Sequence, residues 1–259
     1  MQDSINDYLK RIKTALEMAG TVAMNFMPQN TEVYLKPDKS IVTEADFAVD
    51  KILKEILPKG NEGWLSEETV DDESRLRQKC VWVVDPIDGT IEFANGIPHW
   101  TISVGMVIDG IPVAGGIINP KRRQLFLGAL GHGITLNGNP ASISNRTRIE
   151  GCKISVSNTE YRKGKWDEFQ KLPVDILPMG STAYKLARVA AGIDDISLSL
   201  GKKHEWDLAA GFCLVKAAGG VYLDRFGKQN LFNQKEVSHE GFIIGPECIV
   251  KEVLGMIND

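Results

Sequence analysis

Four consecutive apolar residues, Val81-Trp82-Val83-Val84, run straight into Asp85-Pro86-Ile87-Asp88-Gly89-Thr90. The run reads as a buried strand that delivers two aspartates and a Gly-Thr turn at its carboxyl end, the end at which open α/β sheets bind ligands. Pro86 interrupts the hydrogen-bond ladder, and Gly89 lets the backbone come close to an anion. Thr90-Ile91-Glu92-Phe93 then begins a helix whose free N–H groups favour phosphate. Taken alone, Asp-Pro-x-Asp-Gly is also an ordinary turn sequence, because each of these residues forms turns for its own reason.

Two further acidic segments raise the stakes of that reading. Leu65-Ser66-Glu67-Glu68 follows a short apolar stretch, and Glu205-Trp206-Asp207-Leu208-Ala209-Ala210-Gly211 stands at a helix start. Thr43 sits at an N-cap position with Asp46 three residues on, before an apolar face of Ile52, Leu53, Ile56 and Leu57 that stops at Pro58. Each acid has a local explanation: Asp46 as capping partner of Thr43, Asp207 as a first-turn residue facing the helix dipole.

Around these segments the pattern is a mixed α/β chain. Ile5, Leu9, Ile12, Leu16, Ala19, Ala23 and Phe26 mark one face of a helix ending near Pro28, and the polar Lys36-Pro37-Asp38-Lys39-Ser40 reads as a loop. Runs at Val81 to Val84, Ile102 to Ile108, Val113 to Ile118 and Gln124 to Leu127 read as strands of one sheet. From Cys152 the rhythm becomes strands at Lys153 to Val156, Asp175 to Leu177 and Ile196 to Leu198, alternating with helices at Lys165 to Gln170 and Ser181 to Ala191. A helix at Asp207 to Ala218, strands at Val221 to Asp224 and Phe242 to Ile244, and a closing helix complete an α/β half. Polar Ser142 to Thr147 is the expected junction, dividing an N-terminal α+β half (1–146) that carries most of the acids from a C-terminal α/β half (147–259) that carries Asp207.

Composition removes several classes. With 259 residues, 43% hydrophobic and 25% charged, the chain has the length and apolar content for a real core, against disorder. A net charge of -4 offers no basic field for nucleic acid or an anionic membrane, so neither is expected as a partner. Cys80, Cys152, Cys213 and Cys248 lack metal-site spacing and read as core thiols of a reducing compartment; with no secretory leader and no membrane-length apolar run, the expected location is the cytoplasm.

In order and spacing, Val42-Thr43-Glu44-Ala45-Asp46, Ser66-Glu67-Glu68, the Trp82 to Thr90 segment, Gly180-Ser181 and Trp206-Asp207-Leu208-Ala209-Ala210-Gly211 resemble the fingerprint of the inositol monophosphatase superfamily, from the N-terminal helix to the last strand. That resemblance implies a layered α-β-α-β-α sandwich, also the fold type of fructose-1,6-bisphosphatases, and a Mg²⁺-dependent, lithium-sensitive phosphomonoesterase, commonly a homodimer. It implies that Glu67, Asp85 and the Ile87 carbonyl hold one Mg²⁺, that Asp85, Asp88 and Asp207 hold a second, and that Asp46 and Glu67 support a third through water. Five converging carboxylates repel each other strongly unless divalent cations or protons neutralise them, and oxygen-only ligands suit Mg²⁺ or Mn²⁺. The implied chemistry is attack by metal-activated water oriented by Thr90 and Glu67, with Asp46 and Thr43 near the third metal and the Gly89 and Thr90 amides on the phosphate.

The expected substrate is a small phosphorylated metabolite, contacted through Asp88, Gly89, Thr90, Gly180, Ser181, Lys185 and Asp207. Leu200 stands where the inositol-specific pattern has an acid. The Leu65-Ser66-Glu67-Glu68 turn with trailing Asp71-Asp72, the Gly89-Thr90-Ile91-Glu92-Phe93 run and Gly180-Ser181-Thr182-Ala183-Tyr184-Lys185 lean toward the 3'(2'),5'-bisphosphate nucleotidase branch. Lys185, four residues after Ser181, reads either as a partner for a second phosphate or as solvated surface. Lys202 and Lys203 offer another anion contact, while His204 and His99-Trp100 read as structural. The alternatives are an inositol monophosphatase of relaxed specificity and, in a different class, a regulatory binding protein with secondary catalysis.

Overall fold

The computed structural model of the chain describes residues 2–26, 32–36 and 41–258. Helix α1 (Gln2–Met24) buries Ile5, Ile12, Leu16, Ala19 and Ala23, the expected face. Its expected stop at Pro28, and positions 37–40 of the polar loop, lie outside the described residues. Strands β1 (Val33–Leu35) and β2 (Ile41–Thr43) pair antiparallel and lead into α2 (Glu44–Ile56), with Thr43 as its N-cap.

The large sheet runs in the order β3 (Gly63–Ser66), β4 (Cys80–Asp88), β5 (Thr101–Ile108), β6 (Ile111–Asn119), β7 (Gln124–Ala129), β8 (Gly133–Leu136) and β9 (Asn139–Ala141). Only the β3–β4 pairing is parallel, with Ser66 opposite Val84, so both strands end at the same edge. Alternation along β4 explains its unbroken apolar run. Trp82 and Val84 pack with α1 and α2, while Val81 and Val83 pack on the other face, so neither side meets water. The short helix α3 (Thr90–Ala94) follows β4 directly.

The second sheet has the order β11 (Asp175–Met179), β10 (Lys153–Ser157), β12 (Ile196–Ser199), β16 (Phe242–Gly245) and β14 (Val221–Leu223). Strands β10, β11 and β12 are mutually parallel and β16 is antiparallel to its neighbours. Among the helices here are α4 (Asn158–Arg162), α5 (Thr182–Ala190), α6 (Glu205–Ala217) and α7 (Glu247–Asn258). A small ribbon, β13 (Lys203–His204) with β15 (Ser238–His239), borders the start of α6.

The layers follow from the buried clusters. Helices α1 and α2 cover one face of the large sheet, α5 and α6 lie between the two sheets, and α7 covers the outer face of the second. This is the α-β-α-β-α sandwich. Helix α6 is apolar nearly all round, burying Leu208, Ala209, Ala210, Phe212, Cys213, Leu214 and Val215, as a helix between two sheets must. It approaches the large sheet closely because Gly105 and Gly115 face it: a Cβ at Gly115 would lie 2.7 Å from the Ala210 carbonyl oxygen. That contact fixes where the first turn of α6, and with it Asp207, meets the end of β4.

Two expectations need correction. Residues 165–170 are turns leading to a short 3-10 segment at Phe169–Lys171, and the helix of this region is α4, earlier in the chain. Trp166 and Phe169 mimic helical spacing, but they are inserted into the core as an edge-to-face pair 5.7 Å apart after Gly164 has turned the chain at φ +70°. The cysteines are not all core thiols either: Cys152 and Cys213 are buried, Cys80 is half-buried and Cys248 is exposed, all four free.

Candidate active site

The site is assembled at the edge where β3 and β4 end. The Glu67 N–H donates to the Val84 carbonyl at 3.3 Å, extending the parallel pairing by one step and setting Glu67 beside Asp85. Asp50 of α2 holds this turn from below, accepting from the Ser66 hydroxyl and, at 2.8 Å, from the Thr69 hydroxyl. Along β4 the pairing partner moves from Ser103 at Asp85 to Thr101 at Asp88, so one extra residue is accommodated around Pro86 and Ile87. In a regular strand positions 85 and 88 would face opposite sides; the bulge changes that alternation.

Asp85, Glu67 and Asp207 each present an oxygen within 4.8 Å of the others. Asp85 is 1% exposed, and among the described residues neither of its carboxylate oxygens has a hydrogen-bond partner. Burial, followed by the charges of Glu67, Asp88, Asp207 and Asp46, drives its pKa well above the carboxylate range. Asp207 is pushed up to about 7, first by burial and then by the Asp88 charge. A buried carboxylate lacking both a proton donor and a cation is costly, so this geometry calls for a positive ion. Every donor is oxygen, the set that hard divalent cations prefer. The residues present therefore fit the metal that the resemblance implied.

The other predicted residues take distinct places. Asp46 and Asp207 are both third residues of their helices, and each turns an oxygen back to an N-cap amide: Asp46 accepts from Thr43 N–H at 2.8 Å and Asp207 from His204 N–H at 2.9 Å. The Thr43 hydroxyl also donates to Asp46. Burial raises Asp46 to about 6 against the opposing Thr43 hydrogen bonds. The Thr90 hydroxyl lies between Asp46 (3.3 Å) and the Ile87 carbonyl (3.1 Å), linking α3 to α2.

Asp88 spends one oxygen on the start of α5, accepting from the Ser181 hydroxyl at 2.8 Å and from the Ala183 N–H. Ser181 is held at φ +55°, a strained backbone for a residue with a side chain, and caps α5 through the Tyr184 N–H. Gly89 has φ +97° and its missing Cβ would stand 2.9 Å from the His99 carbonyl oxygen, so only glycine fits this turn. Gly180 faces the Glu92 carboxyl group.

Lys185 is not solvated surface. It is 2% exposed, its ammonium donates to the Ser181 carbonyl at 2.9 Å, and burial lowers its pKa to about 8. It is a buried support for the α5 start rather than a solvated residue. His204 stacks on Trp206 with ring centres 4.6 Å apart, and Trp100 packs edge-to-face on Phe93.

Lys36 belongs in sequence to a polar loop, yet its ammonium lies 2.9 Å from Glu67 and 2.7 Å from Glu68. Burial opposes its charge, but the Glu67 and Glu68 carboxylates outweigh that and raise its pKa. Asp50 reaches the Ser66 and Thr69 hydroxyls in the same way. Both contacts join residues far apart in sequence, and no local pattern marks them.

The sequence profile described as "Inositol monophosphatase family" matches residues 6–253. An inositol monophosphatase of Mesembryanthemum crystallinum is 30% identical over 86% of this chain and 87% of its own. A Thermotoga maritima protein named fructose-1,6-bisphosphatase/inositol-1-monophosphatase is 31% identical over 85% of this chain and 84% of its own. The crystal structure of extragenic suppressor protein suhB from Bartonella henselae superposes with a TM-score of 0.83 at 29% identity, covering 96% of this chain and 98% of that one.

Proposed function

Because the chain belongs to the inositol monophosphatase family, whose members are phosphoric monoester hydrolases, we propose that this phosphatase is Mg²⁺-dependent and acts on monophosphate esters of small polyhydroxylated metabolites. The observation that carries the metal dependence is Asp85, buried with both oxygens unpartnered among the described residues and facing Glu67 and Asp207. Glu67, Asp85, Asp88, Asp207 and the Ile87 carbonyl would hold the metal, with Asp46 supporting a further ion through water. When bound, the cation supplies charge to neutralise the phosphate and acidity to ready water for attack.

The chain's own groups supply the rest. Thr90, held between Asp46 and the Ile87 carbonyl, would accept a hydrogen bond from the attacking water and pass its own proton toward Asp46. The Gly89 and Thr90 amides cradle the phosphoryl oxygens. Ser181 and the Ala183 amide fix the rotamer of Asp88, so a residue of the first half is oriented by the second. Lys36 neutralises Glu67 and Glu68 and thereby competes with a cation for Glu67.

A 3'(2'),5'-bisphosphate nucleotide is the second substrate reading, favoured by the Gly89 to Phe93 and Gly180 to Lys185 runs. It is weakened by Lys185, whose ammonium is turned to backbone carbonyls, while the Lys203 charge also acts on Asp207. The likeness to a protein named suhB keeps a partner-binding role, beside catalysis, within this proposal. The deciding experiment is phosphate release with and without Mg²⁺ on inositol 1-phosphate, fructose 1,6-bisphosphate and adenosine 3',5'-bisphosphate. Turnover that persists in excess chelator overturns the metal assignment, and a kcat/KM highest on the nucleotide reverses the substrate order. We extend the proposal to a lithium-inhibited homodimer in the cytoplasm, with halves dividing at Arg146; sedimentation and lithium titration test the first two.

A further inference from the structure

Glu92 lies on α3, two residues after Thr90, and its carboxylate crosses from the first half of the molecule to the second. It packs over Gly180, where an added Cβ would stand 2.0 Å from the Glu92 carboxyl carbon. Gly180 is not among the glycines with positive φ, so it is glycine for space and not for backbone freedom. The amide of Asn158 then donates to Glu92 Oε1 at 3.3 Å. Among the described residues no other side chain donates to this carboxylate, which is only partly buried and keeps acceptor capacity.

Three strand ends meet around it. Ser157 is paired with Met179, and Val156 with Leu198, so Asn158, Gly180 and Leu200 follow three adjacent strands at one edge. Ser181, next to Gly180, is the residue that grips Asp88. Glu92 thus packs on the residue next to Ser181 and is not one of the three clustered acids. Another negative charge in this place is unfavourable unless something uses it, and burial together with the Asp88 charge does work against it.

Resting on the phosphatase reading above, the geometry points to Glu92, oriented by Asn158 over Gly180, as the residue that receives the hydroxyl groups of the substrate's non-reacting part. A carboxylate accepts hydrogen bonds from one or two hydroxyls, and the Asn158 side chain offers the complementary amide. Leu200, at the end of the neighbouring strand, has no side-chain polar atom to share in this task.

Steady-state kinetics on three substrates, inositol 1-phosphate, adenosine 3',5'-bisphosphate and the hydroxyl-free p-nitrophenyl phosphate, tests this. Glu92→Ala raises KM for inositol 1-phosphate about tenfold or more, the cost of a lost hydrogen bond to a charged group, and leaves kcat and KM for p-nitrophenyl phosphate within about twofold. Asn158→Ala, which leaves Glu92 in place but unoriented, raises KM for inositol 1-phosphate about threefold and serves if Glu92→Ala fails to fold. Equal losses on all three substrates, or an unchanged KM for inositol 1-phosphate, overturn the assignment while the phosphatase reading stands. Absence of Mg²⁺-dependent turnover by the unaltered protein on every substrate defeats both.

Discussion

Helices α2 and α6 begin at the site with the same local device. Each has an aspartate at its third position that folds back to the N-cap amide, Asp46 to Thr43 and Asp207 to His204. Their settings differ. Helix α2 lies on the outer face of the large sheet, and Asp46 is further tied by the Thr43 and Thr90 hydroxyls. Helix α6 is wedged between the sheets, and Asp207 lies within 4.8 Å of Glu67 and Asp85 in the group that can share a metal. One capping motif thus serves two purposes, and what separates them is how far the rest of the fold drives the helix end into the acidic cluster.

The largest effect that would break this comparison is at Asp207 and its neighbour Asp85. Replacing either by Asn should lower Mg²⁺-dependent kcat/KM about 10³-fold, roughly 4 kcal/mol of transition-state stabilisation. The same variants should melt higher than the unaltered protein in chelator, because a buried like charge has been removed. A melting temperature in chelator that falls would show that these acids support the fold instead.

Asp46→Asn should cost less, about 10- to 100-fold in kcat/KM, since Asp46 acts at the margin of the cluster. The Asn oxygen still accepts from the Thr43 amide, whereas Asp46→Ala loses the cap and about 1 kcal/mol of stability by urea titration. Equal activity losses for Asp46→Asn and Asp207→Asn would erase the distinction between the helices.

Gly115→Ala tests the wedge itself. Its Cβ would press 2.7 Å from the Ala210 carbonyl oxygen, so α6 must shift at a cost of about 1 to 3 kcal/mol. Mg²⁺ affinity, followed by the rise in melting temperature on adding the ion, should weaken in the same variant. Unaltered Mg²⁺ affinity would mean that Asp207 is not placed by this contact.

The smallest effect concerns the ribbon beside α6. His239 is buried against Phe232, and burial lowers its pKa to about 4 despite the opposing charge of Asp224. Below pH 6.5 the unfolded chain takes up this proton before the folded one, so stability declines between pH 6.5 and about 4, by at most about 3 kcal/mol. His239→Gln should flatten that part of the pH profile of urea stability; an unchanged slope would assign acid lability to other groups.

Much of this arrangement is legible along the chain, and the exceptions share a cause. The run Val81 to Val84 reads correctly as a buried strand because both of its faces are covered. The caps at Thr43 and the start of α6 are visible because capping spans only three or four residues. Trp166 and Phe169 mislead because an apolar spacing of three occurs in a helix and in two anchors of an irregular segment alike. Lys36 and Asp50 leave no trace: their partners are 31 and 16 residues away, joined only when β3 pairs with β4 beside α2. Lys185 stands at the right place in the chain, yet only the packed helix shows its charge spent on backbone carbonyls.

The sequence by itself determined most of the order of elements, because period and capping are local properties, while the layered class and the set of five acids followed from the family resemblance that its motifs carry. Tertiary structure alone decided which acids converge. Asp85 is stripped of hydrogen-bond partners by burial, Asp207 is carried to it by a helix seated on two glycines, and Asp88 is gripped by Ser181 from the opposite half. Convergence is a matter of distance through space, and distance through space exists only once the two sheets close on the helices between them.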